Sequence, residues 1–132
     1  MLGEQITELK GKVMGQRVLD AEGPTTEISI SSKGSTKGIQ VDENLTFVAK
    51  PSSKGVLHSE GQGVLMSGES EMATFTGGAI GRITPSGVKW RGAVFFKAGP
   101  TGKLAFLNNV VDIFEAEVDL DGNFVQKSWE WR

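Results

Sequence analysis

The sequence predicts an all-β protein, a single antiparallel barrel of about eight strands occupying residues 1–132, and three observations predict it. Apolar and polar residues alternate at a period of two over most of the chain, as in strands with one buried face. Turn-forming residues interrupt that alternation at short intervals. Eighteen glycines, several inside the apolar pattern, let strands coil sharply and close on themselves.

The strongest pattern is Val56 to Phe96, which reads as three long strands joined by two tight turns. Centring the first turn on Gly68-Glu69 sets Val64 opposite Ala73 and Gln62 opposite Phe75. Centring the second on Pro85-Ser86 sets Ile83 opposite Val88 and Gly81 opposite Trp90. One face then carries Val64, Ala73, Phe75, Gly77, Ala79, Gly81, Ile83, Val88, Trp90, Gly92, Val94 and Phe96, the expected core. The other carries Thr74, Thr76, Ile80, Arg82, Lys89, Arg91, Ala93, Phe95 and Lys97, the expected exterior. Gly81 leaves room for the Trp90 ring across the strand pair.

The remaining strands follow in order. Ile6 to Leu19 alternates, with Leu9, Gly11, Val13 and Gly15 on one face, until Asp20-Ala21-Glu22-Gly23-Pro24 breaks it. Thr25 to Ser31 is a second strand, with Ile28 and Ile30 inward. Lys33-Gly34-Ser35 then punctuates the chain before a short Ile39 to Val41 segment. Leu45, Phe47 and Ala49 alternate in the next strand. After the break at Ala98 to Gly102, a turn placing Leu104 opposite Phe96 continues the core face on even numbers through Asn108, Asp112, Phe114, Ala116 and Val118. Asp121-Gly122, read as a two-residue turn, sets Val118 opposite Val125 and Phe114 opposite Trp129, turning Trp129 and Trp131 inward.

Composition narrows the function. A chain of 132 residues forms one domain with a real core. The absence of cysteine removes disulfides and thiolate chemistry and suits a cytoplasmic setting. Fourteen basic and 16 acidic residues, scattered to a net charge of −2, leave no basic footprint, so no nucleic-acid partner is expected. No apolar run reaches the roughly 20 residues that span a bilayer and no signal-peptide pattern opens the chain, so no membrane association is expected.

Four stretches, Glu60-Gly61-Gln62-Gly63-Val64, Lys89-Trp90-Arg91-Gly92-Ala93, Lys103 to Asn109, and Trp129-Glu130-Trp131-Arg132, resemble those of a family of small uncharacterised prokaryotic proteins. Its members look like allene-oxide-cyclase-like barrels, related in shape to calycins. The resemblance covers most of the chain and implies that barrel. It transfers no cyclase active-site residue to any position here.

Extending the central register puts His58, Glu60 and Gln62 on the core face, joined there by Asn108 and Asp112. Buried polar groups cost roughly 1–3 kcal/mol each when unpaired, so such a strip implies mutual pairing, water or a ligand cavity. A bulge at Gly61 or Gly63 is the competing arrangement, and would return His58 and Glu60 to solvent. In the cavity reading Glu60 carries a raised pKa, Gln62 and Asn108 orient a carbonyl or hydroxyl, and Phe75 and Trp90 stack on the ligand. Asp119 to Asn123 with Glu130 imitates a calcium loop, but Phe124 stands where the sharp turn requires glycine, so a hairpin is expected and no metal. Gly61-x-Gly63 and Gly77-Gly78-x-x-Gly81 do not lie between a strand and a helix, so no nucleotide or other cofactor is expected.

Three functions follow. The first is binding of a small apolar or amphipathic molecule inside the barrel, through Glu60, Gln62, Phe75, Trp90 and Asn108. The second is a cofactor-free isomerase or cyclase with Glu60 as its acid or base. The third is a structural protein forming a homo-oligomer through Ile80, Ala93 and Phe95.

Overall fold

The structure is a computed structural model and describes residues 2–68 and 70–132. Its strands are β1 (Leu2–Asp20), β2 (Thr25–Thr36), β3 (Ile39–Ser53), β4 (Val56–Ser67), β5 (Glu71–Thr84), β6 (Gly87–Ala98), β7 (Val111–Asp119) and β8 (Asn123–Trp131). Each pairs antiparallel with its neighbour in sequence, and β1 pairs with β8 to close the barrel. The expected all-β class, single barrel and strand number are all present. A single 3-10 turn, Ala105–Leu107, interrupts the connection between β6 and β7.

The β5–β6 hairpin has the register that Pro85-Ser86 predicts, with Ile83 opposite Val88 and Gly81 opposite Trp90. Trp90 lies over Gly81, where an added Cβ would come within 2.7 Å of the indole ring. Three other features depart from the sequence reading. Ser67 pairs with Glu71, so three residues, 68–70, separate β4 from β5; Glu69, half of the expected turn, lies outside the described residues. Val118 pairs with Phe124 rather than Val125, again leaving a longer loop than expected. The expected break at Lys33-Gly34-Ser35 lies within β2, and the β2–β3 turn is Lys37-Gly38, where φ is positive at both residues (46° and 81°), as a two-residue primed turn demands.

Side chains alternate across a strand, so a loop longer by one residue reverses the face of the strand it leads to. In β4, Leu57, Ser59, Gly61, Gly63 and Leu65 therefore point inward, and Leu65 is fully buried. In β8, Phe124 and Ser128 are buried while Val125 and Trp131 are exposed. The inward packing expected of Trp131 is thus overturned, and Trp129 is half-buried. A bulge at Met14 similarly turns Gly15 to the outer side of β1.

The interior divides into two apolar clusters. Near the chain termini, Ile6, Leu9, Val41, Leu65, Ala73, Phe75 and Phe96 pack with Leu104 and Leu107, so the segment between β6 and β7 covers that end. Toward the other end, Ile30, Phe47, Ala49, Trp90, Ala116 and Phe124 form the second cluster. Phe75 and Phe96 meet at 5.4 Å between ring centroids in the first, and Phe47 and Trp90 edge to face at 5.3 Å in the second.

Candidate functional site

Between the two clusters runs a belt of interior positions with two unlike halves. On β4, β5 and β6 it holds Ser59, Gly61, Gly63, Gly77 and Gly92; the Phe75 ring packs against Gly63, where an added Cβ would meet it at 2.3 Å, and neighbouring backbone lies close to Gly61, Gly77 and Gly92. On β7, β8, β1, β2 and β3 it holds Asp112, Gln126, Ser128, Thr7, Ser32 and Glu43. All of these but Gln126 are buried, and Thr36 is buried nearby. Glu43 belongs here because β3 alternates as Val41, Glu43, Leu45, Phe47, Ala49, with its odd positions inward. Asp112 shares parity with Phe114, Ala116 and Val118 on β7.

A cavity of about 60 Å³ lies in this belt. Its wall is mostly carbon, with Phe47, Phe75, Trp90, Phe96 and Phe114 contributing rings, and Glu43 brings a carboxyl to it. Ser32 Oγ donates to Glu43 Oε1 at 3.1 Å. The hydroxyls of Thr7 and Ser128 are hydrogen-bonded to each other. Among the described residues, Asp112 Oδ1 and Oδ2 and Thr36 Oγ1 have no well-formed partner. Ser128 lies close enough to Asp112 to favour its charged form, and because the Thr7–Ser128 bond needs only one of the two hydroxyl protons, Ser128 can turn its own toward one Asp112 oxygen, leaving the other without a donor.

Burial raises both acids into the neutral range. Glu43 is pushed up to about 7, chiefly by desolvation; the Ser32 hydrogen bond opposes the rise and the Asp112 charge adds to it. Asp112 is also raised to about 7 by desolvation, with Ser128 opposing. The Asp112 charge is the weakest of the three influences on Glu43, so each acid is held in the neutral range chiefly by its own burial. Near neutral pH the pair can hold, give up or accept a proton, and it offers acceptor oxygens to a donor entering the cavity.

The residues expected to form the site divide accordingly. Phe75 and Trp90 line the cavity, as expected, and Asp112 is inside. His58, Glu60 and Gln62 are exposed on the outer face of β4, because the three-residue loop after Ser67 reverses that strand's parity. The β4–β5 register runs without a shift from Val56 to Ser67, so no bulge at Gly61 or Gly63 is responsible. Asn108 is exposed too; it ends the 3-10 turn, and its Oδ1 accepts from the Ala98 amide at 3.2 Å. Phe114, not Asn108, lies opposite Gly92, and the space beside Gly92 is taken up by Gly78 and Ala79. The expected convergence of Glu60, Gln62 and Asn108 therefore does not occur. Glu43 was missed although the alternation of Leu45, Phe47 and Ala49, carried back two residues, reaches it.

Outside the barrel, Ile80 and Ala93 are half-buried and Phe95 is exposed. The Asp119 carboxylate accepts from the amides of Asp121 and Asn123 and from the Asn123 side chain, which holds its pKa below the ordinary value and closes the β7–β8 turn. No helix among the described residues is long and apolar enough to cross a membrane.

No protein-family model and no curated protein matches the sequence. Among solved structures, the chain is similar to a protein of unknown function from Clostridium acetobutylicum, at 12% identity and a TM-score of 0.80 over 98% of both chains. It is also similar to a conserved protein of unknown function from Rhodopseudomonas palustris, at 10% identity and a TM-score of 0.76 over 99% of both chains. At these identities the likeness is one of fold, and the fold these bacterial proteins share with this chain is the eight-stranded barrel.

Proposed function

We propose that the protein binds a small, partly apolar molecule inside the barrel, in the cavity between the two apolar clusters. The observation carrying this reading is the cavity itself, walled by aromatic rings and reached by the buried Glu43 carboxyl, the mixture of shape and sparse polarity found in ligand sites. A volume of about 60 Å³ suits a short chain of a few heavy atoms, since a cavity that takes a benzene ring is about 150 Å³. Glu43 takes the anchoring part expected of Glu60, while Phe75 and Trp90 keep theirs.

An acid–base activity on such a ligand is the second reading, favoured by the neutral-range titration of Glu43 at the cavity wall. It accords with the sequence resemblance to allene-oxide-cyclase-like barrels and needs no cofactor.

Native mass spectrometry after incubation with fractionated metabolite and lipid extracts tests the primary reading. A retained small molecule is expected in the wild type and none in Ser59→Leu, which fills the cavity wall, with both proteins equally folded by circular dichroism. Equal retention in both, or none in the wild type, would overturn interior binding.

A further inference from the structure

We propose that the interior site is an ammonium site: it takes the charged head of a small lipophilic primary amine, held by Glu43 with Asp112 behind it and enclosed by the aromatic rings. This rests on interior binding and names the ligand's chemical class.

The belt has acceptors in excess. Glu43 receives one donor, from Ser32, and both Asp112 oxygens lack a well-formed one. The nearest hydroxyls give little relief: the Thr7–Ser128 bond uses one of the two hydroxyl protons, so Ser128 can offer Asp112 a single donor at most, against two carboxyl oxygens. Among the described residues, no lysine, arginine or histidine lines the cavity, and neither acid forms an ion pair. A buried carboxylate without a cation is costly, and a positively charged donor is the complement that restores the balance.

The rings point to the same charge. Phe47, Phe75, Trp90, Phe96 and Phe114 share the cavity with Glu43, and the faces of such rings attract a cation most strongly where water is excluded. A carboxylate ligand would meet two acids of its own sign. A neutral alcohol could be held by a protonated carboxyl but would gain nothing from charge. Below about pH 7, where both carboxyls are protonated, an entering ammonium displaces one of the two protons to solvent and the interior stays neutral; above it the ammonium meets a carboxylate already ionised and no proton need leave. The groups facing the pair from the adjoining strands are the uncharged Thr7, Ser32 and Ser128, so the linkage resides in Glu43 and Asp112.

Ethylamine, ethanol and acetate share a two-carbon body that the cavity can hold and serve as probes, with affinities read by calorimetry at pH 6 and pH 8. Ethylamine is expected to bind at least about tenfold more tightly than the alcohol at pH 8, the scale of a charge-assisted hydrogen bond. Its affinity should rise from pH 6 to pH 8, with proton release at pH 6 and little at pH 8, while the alcohol's does not. Glu43→Gln should remove both the preference and the pH dependence yet leave alcohol binding in place. Asp112→Asn should weaken the pH dependence. If the alcohol or acetate binds as tightly as the amine, or Glu43→Gln keeps the preference, the ammonium assignment fails while interior binding stands. If none of the three binds, both fail.

Discussion

The two halves of the barrel's central belt solve the same problem in opposite ways. On β4, β5 and β6 the inward positions are glycines and one serine, and rings from neighbouring strands fill the space, Phe75 over Gly63 and Trp90 over Gly81. On β7, β8, β1, β2 and β3 the inward positions are hydroxyls, an amide and two carboxyls, with the acids left short of donors. Carbon packing is close to complete in the first half and electrostatic satisfaction is incomplete in the second. A fold needing only a core could place apolar residues in both halves, since exchanging buried polar groups for packed carbon is often neutral or stabilising. The polar half therefore marks where stability yields to another demand, and the cavity between the halves locates it.

The contrast can be broken from either side. Trp90→Ala removes the ring over Gly81 and its contact with Phe47, and should cost about 3–5 kcal/mol in urea unfolding. An effect below about 1 kcal/mol would show that the ring half is not closely packed.

On the polar side the effect per residue is smaller and depends on pH. Glu43 and Asp112 keep their protons more tightly when folded, at about 7 against ordinary values of 4.5 and 3.8. Between those limits the native state holds the extra protons, so stability falls as pH rises. Their contribution is greatest below about pH 4 and fully lost above about pH 7. Unfolding free energy should drop by roughly 2–3 kcal/mol per acid between pH 5 and pH 8, and Glu43→Gln should remove about half of the fall and stabilise the protein at pH 8. A stability that rises over this range, or the same slope in the variant, would contradict burial of the pair.

Glu60→Gln probes the outer face of β4. It should change stability by no more than about 0.5 kcal/mol and leave ligand retention unaltered. A loss of retention would return Glu60 to the site and overturn the parity of β4.

Much of this architecture was legible before the structure was known, and the failures share one cause. Alternation over Val56 to Phe96, together with Pro85-Ser86, determined the β5–β6 pairing, because two positions between matched apolar runs leave a single register. The same alternation on β7 placed Asp112 inside. Around Gly68 and around Asp121-Gly122 the turn residues announce a reversal without giving its length. The choice between two and three residues is made by contacts remote from the turn, such as Leu65 seated in the first cluster and Phe124 in the second. The β7–β8 loop is also held by its own hydrogen bonds, in which Asp119 gathers the amides of Asp121 and Asn123. One residue of loop length exchanges a strand's two faces, which is why Glu60 and Gln62 changed places with Leu57, Gly61 and Leu65. Pairing class, strand number and the inward place of Phe75, Trp90 and Asp112 are local in origin, set by alternation and turn chemistry, so the sequence alone determined them. That Glu43 on β3 lies near Asp112 on β7, across strands far apart in the chain, follows only from closure of the barrel. Neither residue's own segment carries the position of the other, and it is their approach in a desolvated interior that makes the pair chemically distinct.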